Sequence, residues 1–248
     1  MVILTAFTNY SKDNIGRFVS SLEQAGFTGR KIVIYYYPKP SMVEYLENNG
    51  WEVHTYGNCP LFINFQRRKD MSKLILEYKL EEEYICCTDI RDVYFAKTPS
   101  DIKEDLFLGY DDNSPIANNE WNTQAVKTGY PSLYKKLKNK IAFNAGVIIG
   151  KGKILAEFFD DHYELGLNSG YTNISEPCPG LDQSTVNVLA YSKYKHLLSF
   201  KENKYVLHMA NLDNTEESQL EGYYIYHQYE RNKKHKEYVV NLNKKSYI

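Results

Sequence analysis

The chain has 248 residues, of which 43% are hydrophobic and 25% charged, enough apolar material for one sizeable core in a soluble domain. Its formal net charge of -1 supplies no global field for a polyanion, which argues against a dedicated nucleic-acid binder. No apolar run is long enough to span a bilayer. Met1-Val2-Ile3-Leu4 enters a strand-like segment with no basic leader or small-residue cleavage site, so no signal peptide is expected.

Residues 1–8 read as a buried strand. Tyr10 to Asn14 offer cap residues to a helix carrying Ile15, Phe18, Val19 and Leu22, which Gly26 closes. Residues 31–37 (KIVIYYY) are a second strand. Ser41 and Glu44 read as a capping box for the next helix, which stops at Gly50. A third strand over 51–56, a helix over 64–82 and a fourth strand over 83–88 follow. Further on come a short strand over 105–110, a turn at 111–115, and a helical stretch over 118–134 interrupted near Gly129-Tyr130-Pro131. Then come a strand over 142–149, a helix over 153–163, a long loop over 168–180, a helix over 181–191, and strands over 205–210 and 223–229. Such strand–helix alternation predicts an α/β domain with a mostly parallel central sheet and helices on both faces. Ligands of such sheets bind at the carboxyl ends of strands.

The four cysteines, Cys59, Cys86, Cys87 and Cys178, have no metal-ligand or redox spacing. They read as buried free thiols of a reducing, cytoplasmic compartment. Asn9-Tyr10-Ser11 and Asn173-Ile174-Ser175 match the glycosylation sequon, which carries no weight without secretion. Tyrosine, at 23 residues, could furnish platforms for a sugar, but compositional bias accounts for it at least as well.

Within residues 83–95 (EYICCTDIRDVYF), a buried strand ends on Asp89 and Asp92 with Arg91 between them. Carboxylates at a strand end hold a divalent cation, act as acid and base, or cap the following turn. TDIRDVYF (88–95), FNAGVIIGKGKILAEFF (143–159), GLDQSTVNVL (180–189) and YIYHQYER (224–231) together resemble, in the same order, the motif set of GT-A-fold glycosyltransferases. The resemblance covers most of the chain. It implies a single Rossmann-like GT-A domain over 1–230, with a nucleotide-sugar half (1–112) and an acceptor half (113–230), followed by a basic tail over 231–248.

The activity it implies is metal-dependent transfer of a sugar from a UDP- or GDP-linked donor to a glycan, glycoprotein or other hydroxyl acceptor. Mn²⁺ or Mg²⁺ would neutralise the leaving diphosphate. Carried over residue by residue, the resemblance places Asp89 and Asp92 on the metal with His227, His208 being the second candidate. Thr5, Ala6, Phe7, Arg67, Arg68, Thr88, Asp89 and Arg91 fall on the nucleotide sugar. Trp121, Asn144, Ala145, Gly146 and Gln183 fall on the sugar and acceptor side. Asp182 and Asp92 are the candidate catalytic carboxylates.

The spacing here is Asp-x-x-Asp where the family has Asp-x-Asp, so the motif alone leaves open which aspartate binds metal directly. Loop 168–180 is expected to close over the site. The basic tail is expected to be a solvated terminus with no part in catalysis. A nucleotidyltransferase would need a Gly-rich basic loop after the first strand, and LTAFTNYSKDN has none. An aspartate-nucleophile phosphohydrolase has no use for NAGVIIG. A non-catalytic carbohydrate-binding protein is the alternative of a different class.

Overall fold

The computed structural model describes residues 1–59, 61–170, 178–198, 205–210, 212 and 220–245. β1 (Val2–Thr8) leads into α1 (Lys12–Gln24), whose N-cap Ser11 forms a capping box with Asn14. β2 (Arg30–Tyr36), α2 (Pro40–Asn48), β3 (Glu52–Tyr56), α3 (Ile63–Glu77) and β4 (Tyr84–Thr88) continue the alternation. After β5 (Val93–Phe95) and β6 (Leu106–Pro115) come α4 (Glu120–Gly129), α5 (Tyr134–Leu137), β7 (Ile141–Lys151) and α6 (Gly152–Asn168). α7 (Leu181–Tyr191), β8 (Val206–His208), β9 (Ile225–His227) and α8 (Lys233–Lys245) complete the described chain.

The main sheet has six strands in the order β3-β2-β1-β4-β7-β6. β3, β2, β1 and β4 pair in parallel, whereas β7 runs antiparallel to both β4 and β6. The sheet is therefore mixed, and the parallel order expected from strand–helix alternation describes only its first four strands. A second sheet, β5-β9-β8, was not anticipated as a unit; its strands are three residues each.

Side chains alternate across the main sheet into two cores. Leu4 and Cys87 pack with α3 and α6 residues such as Leu74 and Phe158 on one face. Ile3 and Cys86 pack with Phe18 of α1 and Leu46 of α2 on the other. The adjacent thiols thus lie in different cores, and all four cysteines are free and buried.

Four expectations are corrected. The Ser41/Glu44 capping box does not form, because Pro40 occupies the first turn of α2 and Lys39 is the cap, without a side-chain hydrogen bond. α3 ends at Glu77 rather than near residue 82. Lys79 turns left-handed (φ 55), and the Leu80 amide returns to the Ile75 carbonyl at 2.9 Å, burying Leu80. Residues 111–115 lie within β6 instead of forming a separate turn. The basic tail forms α8, which buries His235 and Val239 and packs Val239 with Tyr94, Met209 and Tyr226. Of the expected lid, residues 171–177 lie outside the described residues, as does 246–248 of the tail.

Several tyrosine hydroxyls are buried, and burial pushes those of Tyr130 and Tyr229 up to about 12. Tyr36, Tyr191, Tyr194 and Tyr226 are also raised by burial. Each holds its proton more tightly folded than unfolded. Their contribution is complete below the unfolded value of about 10 and is lost as pH rises through the folded values. Urea-unfolding midpoints should be steady from about pH 8 to 10, where these hydroxyls keep their protons in both states, and fall steeply above about pH 10. A flat alkaline limb would mean that these hydroxyls are not buried.

Candidate functional site

Beyond Thr88 the chain leaves β4 at the carboxyl end of the parallel strands, and the Asp89 amide donates to the Gly146 carbonyl of β7 at 2.7 Å. Four residues after Asp89, β5 begins and pairs antiparallel with β9, Val93 opposite His227, and the Gln228 amide donates to the Asp92 carbonyl at 2.8 Å. The small sheet thereby carries His227, far along the chain, to the two aspartates. Its Nε2 lies 3.5 Å from Asp89 Oδ2 and 3.8 Å from Asp92 Oδ1. One ligand atom from each of the three falls within 4.8 Å of the others. His227 is 1% exposed, and among the described residues its Nε2 has no hydrogen-bond partner. Burial opposes a charge on this ring, but the two aspartates outweigh burial and raise its proton affinity.

Arg67, on α3, organises the charges. Its Nη1 donates to Asp89 Oδ1 at 2.5 Å and its Nη2 lies 4.0 Å from Asp182 Oδ2 in the first turn of α7. Burial disfavours the guanidinium charge, yet the two carboxylates outweigh it. Their own environments differ. Burial opposes ionisation of Asp89, but Arg67 and His227 hold its carboxyl well below the usual range. Asp182 is raised instead, because burial exceeds the attraction of Arg67. Two carboxyl groups on one arginine are thus pushed apart in proton affinity.

Behind these groups lies a closed ring of buried side chains. Asn122 Nδ2 donates to Asp111 Oδ2 at 2.8 Å, and Gln183 Nε2 donates to Asn122 Oδ1 at 2.8 Å. Asn144 Nδ2 closes the ring by donating to Gln183 Oε1 at 3.1 Å and Asp111 Oδ1 at 3.2 Å. Asn144 Oδ1 also accepts the Gly146 amide at 2.6 Å. Asp111 and Asn144 lie in irregular stretches of β6 and β7. Leu108 pairs with Ile148, Tyr110 with Phe143 and Pro115 with Ile141, so each strand in turn bulges against the other. The turn-forming residues 111–115 thus make a bulge inside a strand.

A cleft of about 220 Å³ opens beside Asp89 and Asp92. Of the expected nucleotide-sugar residues, Ala6, Phe7, Arg67, Asp89 and Arg91 line it, together with Asp92. Thr5 does not; its hydroxyl donates to the Thr88 carbonyl at 2.8 Å and ties β1 to β4. Arg68 is buried away from it, donating to the Ala145 carbonyl at 2.5 Å over the Phe159 ring, and Thr88 is buried with it. Ala145 is buried, while Asn144 and Gln183 are held in the ring. Trp121 is 47% exposed, its indole over Gly180, the left-handed residue that precedes α7. His208 gives one ring nitrogen to Asp111 and the other to His227.

Thr8, at the strand end expected to border the nucleotide, also lines the cleft, as do Tyr10, Asn64, Gln228 and Arg231, which were not singled out as site residues from the sequence. Tyr10 lies parallel to Phe7 at 6.2 Å, with Arg91 over its ring, although in the sequence it reads as part of a helix cap. Arg231 closes the YIYHQYER segment, which is the signal that could have found it. Asp111 was missed because Asp-Asp-Asn-Ser-Pro has turn composition, and the bulge that uses it has no sequence signature of its own.

No protein-family model and no curated protein sequence matches this chain.

Gly146 makes the close approach possible. A Cβ there would collide with the His227 ring and come within 2.9 Å of Asp89 Oδ2. Gly146→Ala should therefore cost about 1–3 kcal/mol in urea unfolding through overpacking. Gly57→Ala, where a Cβ meets nothing within 4 Å, should change stability by less than about 0.5 kcal/mol. Equal effects would mean that the site is not tightly closed at Gly146.

Proposed function

We propose that the protein is a metal-dependent glycosyltransferase of the GT-A type, moving a sugar from a nucleoside-diphosphate donor to a hydroxyl acceptor. The observation that carries this reading is the convergence of Asp89 and Asp92 with the unpartnered Nε2 of His227, beside a cleft lined by Arg67, Arg91 and Arg231. A buried ring nitrogen beside two carboxylates calls for a positive charge, which a proton supplies in the metal-free protein and a divalent cation can supply in its place. Two carboxylates and an imidazole suit Mn²⁺, or Mg²⁺ with the donor's phosphates supplying further oxygens. Asp89, Asp92 and His227 would hold the ion, which when bound offsets the charge that the diphosphate gains as the anomeric C–O bond breaks.

The chain's own groups take the remaining roles. Arg67 fixes one oxygen of Asp89 and leaves Oδ2 directed at His227. Arg91 and Arg231 offer planar, always-charged donors to diphosphate oxygens at the cleft. Tyr10, its ring parallel to that of the buried Phe7, gives the base a flat wall, and Thr8 lines the same cleft. Asp182, with its proton affinity raised by burial, is suited to accept the proton of the acceptor hydroxyl. Trp121 presents an exposed indole beside the start of α7, where an acceptor sugar ring can stack.

The test is a panel of nucleoside-diphosphate sugars incubated with Mn²⁺, scored for slow donor hydrolysis, which reveals the donor without knowledge of the acceptor. Asp89→Asn and Asp92→Asn should each abolish Mn²⁺-dependent binding of UDP or GDP while retaining the fold by circular dichroism. Normal nucleotide binding by both variants would overturn the metal assignment. Asp182→Asn should keep donor binding and lower turnover by about 10²–10⁴-fold, as expected when a general base is removed. Glycan binding unaffected by chelation, with no donor hydrolysed, would favour a non-catalytic carbohydrate-binding protein.

A further inference from the structure

Asp111, His208 and His227 form a file that ends at the two aspartates. His208 Nε2 lies 3.0 Å from Asp111 Oδ1, and His208 Nδ1 lies 3.1 Å from His227 Nδ1. The register of the small sheet produces this contact, since β8 pairs in parallel with β9 and sets His208 beside His227. All three side chains are buried, with Asp111 and His208 each 5% exposed.

The proton positions follow from what each atom can do. An ionised carboxylate only accepts, and Asp111 takes hydrogens from Asn122 and Asn144 as well as facing His208. His208 Nε2 therefore carries a hydrogen toward it. Two ring nitrogens 3.1 Å apart need one donor and one acceptor. With its hydrogen on Nε2, neutral His208 accepts at Nδ1, and His227 donates from Nδ1. The free lone pair of His227 then belongs to Nε2, the atom directed at Asp89 and Asp92.

We propose that Asp111 and His208 are positioning residues that fix the hydrogen of His227 on Nδ1 and so present its Nε2 lone pair to a divalent cation held with Asp89 and Asp92. The inference rests on the reading of those three residues as a cation site. It adds that the site's imidazole is oriented by a carboxylate through one intervening ring, His208, and that this carboxylate is a member of the amide ring reaching Gln183, the neighbour of Asp182. Metal-ligating histidines characteristically have their second nitrogen fixed by such an outer partner, whose loss weakens metal binding by about 10–100-fold.

The experiment titrates Mn²⁺ alone into the full chain by calorimetry and by loss of the free-ion paramagnetic resonance signal. Wild type, Asp111→Asn, His208→Gln and the remote Gly57→Ala are compared, and urea unfolding reports whether each variant is folded. Asp111→Asn and His208→Gln should bind Mn²⁺ about 10–100-fold more weakly, and Gly57→Ala should bind as wild type does. Unchanged affinity in both site variants, with wild type binding, would overturn the positioning role while leaving the cation site in place.

A second measurement needs no variant. Histidine ring ¹⁵N shifts of the metal-free wild-type protein, recorded on the alkaline side of imidazole titration, distinguish a hydrogen-bearing ring nitrogen from a bare one. A hydrogen on His227 Nδ1 is expected, and a hydrogen on Nε2 overturns the proposal even if a variant fails to fold. Absence of Mn²⁺ binding in wild type overturns the cation site and, with it, the positioning role toward an ion.

Discussion

A guanidinium taken out of water must find carboxylates, and Arg67 finds Asp89 and Asp182 on two different elements. Desolvating such charges costs several kcal/mol per ion, and removing one partner leaves the other stranded. The arrangement therefore constrains the ends of α3, β4 and α7 together. Arg67 bonds to one oxygen of Asp89 only, which leaves the other oxygen for His227. It also lies too far from Asp182 for a full hydrogen bond, so burial prevails there and that carboxyl stays less acidic. One side chain thus separates a firmly ionised carboxylate from one that takes a proton more readily.

The antiparallel insertion of β7 between β4 and β6 is what brings the second half of the chain to this point. The Gly146 carbonyl accepts the amide of Asp89 as the next step of the β4–β7 ladder, while the irregular pairing with β6 sets Asn144 in the amide ring. Gly146 then lies directly beneath the His227 ring, where any side chain would displace it. Two strands of three residues, β5 and β9, are sufficient to hold that histidine because the Asp92 carbonyl is bound in the same ladder.

The order and type of the long elements were legible because their apolar periodicity is strong. Ile15, Phe18 and Leu22 mark α1, and KIVIYYY marks β2. The strand-end aspartates could be singled out because they interrupt an apolar run, and the histidine of YIYHQYER only through the segment's resemblance to a glycosyltransferase motif. The antiparallel direction of β7 was not legible, since hydrophobic alternation is the same whichever way a strand runs. Nor was the second sheet, whose strands are too short to show a period. Asp111 was hidden by its turn-like neighbours, and Thr5 and Arg68 show the opposite failure. Both have site-like chemistry and sequence positions, yet their donors go to the backbone carbonyls of Thr88 and Ala145. The helical tail escaped because its lysines outnumber the few residues, Val239 among them, that anchor it.

The amide ring has a consequence for how this sequence tolerates change. Asp111, Asn122, Asn144 and Gln183 each hold two of the others. Replacing one breaks two bonds of the ring, and at Asp111 or Asn144 a third, to His208 or to the Gly146 amide; replacing a second, adjacent member loses less within the ring, because the bond between them is already gone. Substitution effects within the set are therefore sub-additive, and the first step away from the native quartet is the steepest. A concerted exchange to an apolar set is not free either, because it would strand His208 Nε2 and the Gly146 amide, which depend on Asp111 and Asn144. The four residues, drawn from β6, α4, β7 and α7, behave as one heritable unit spread over 73 positions of chain, from Asp111 to Gln183.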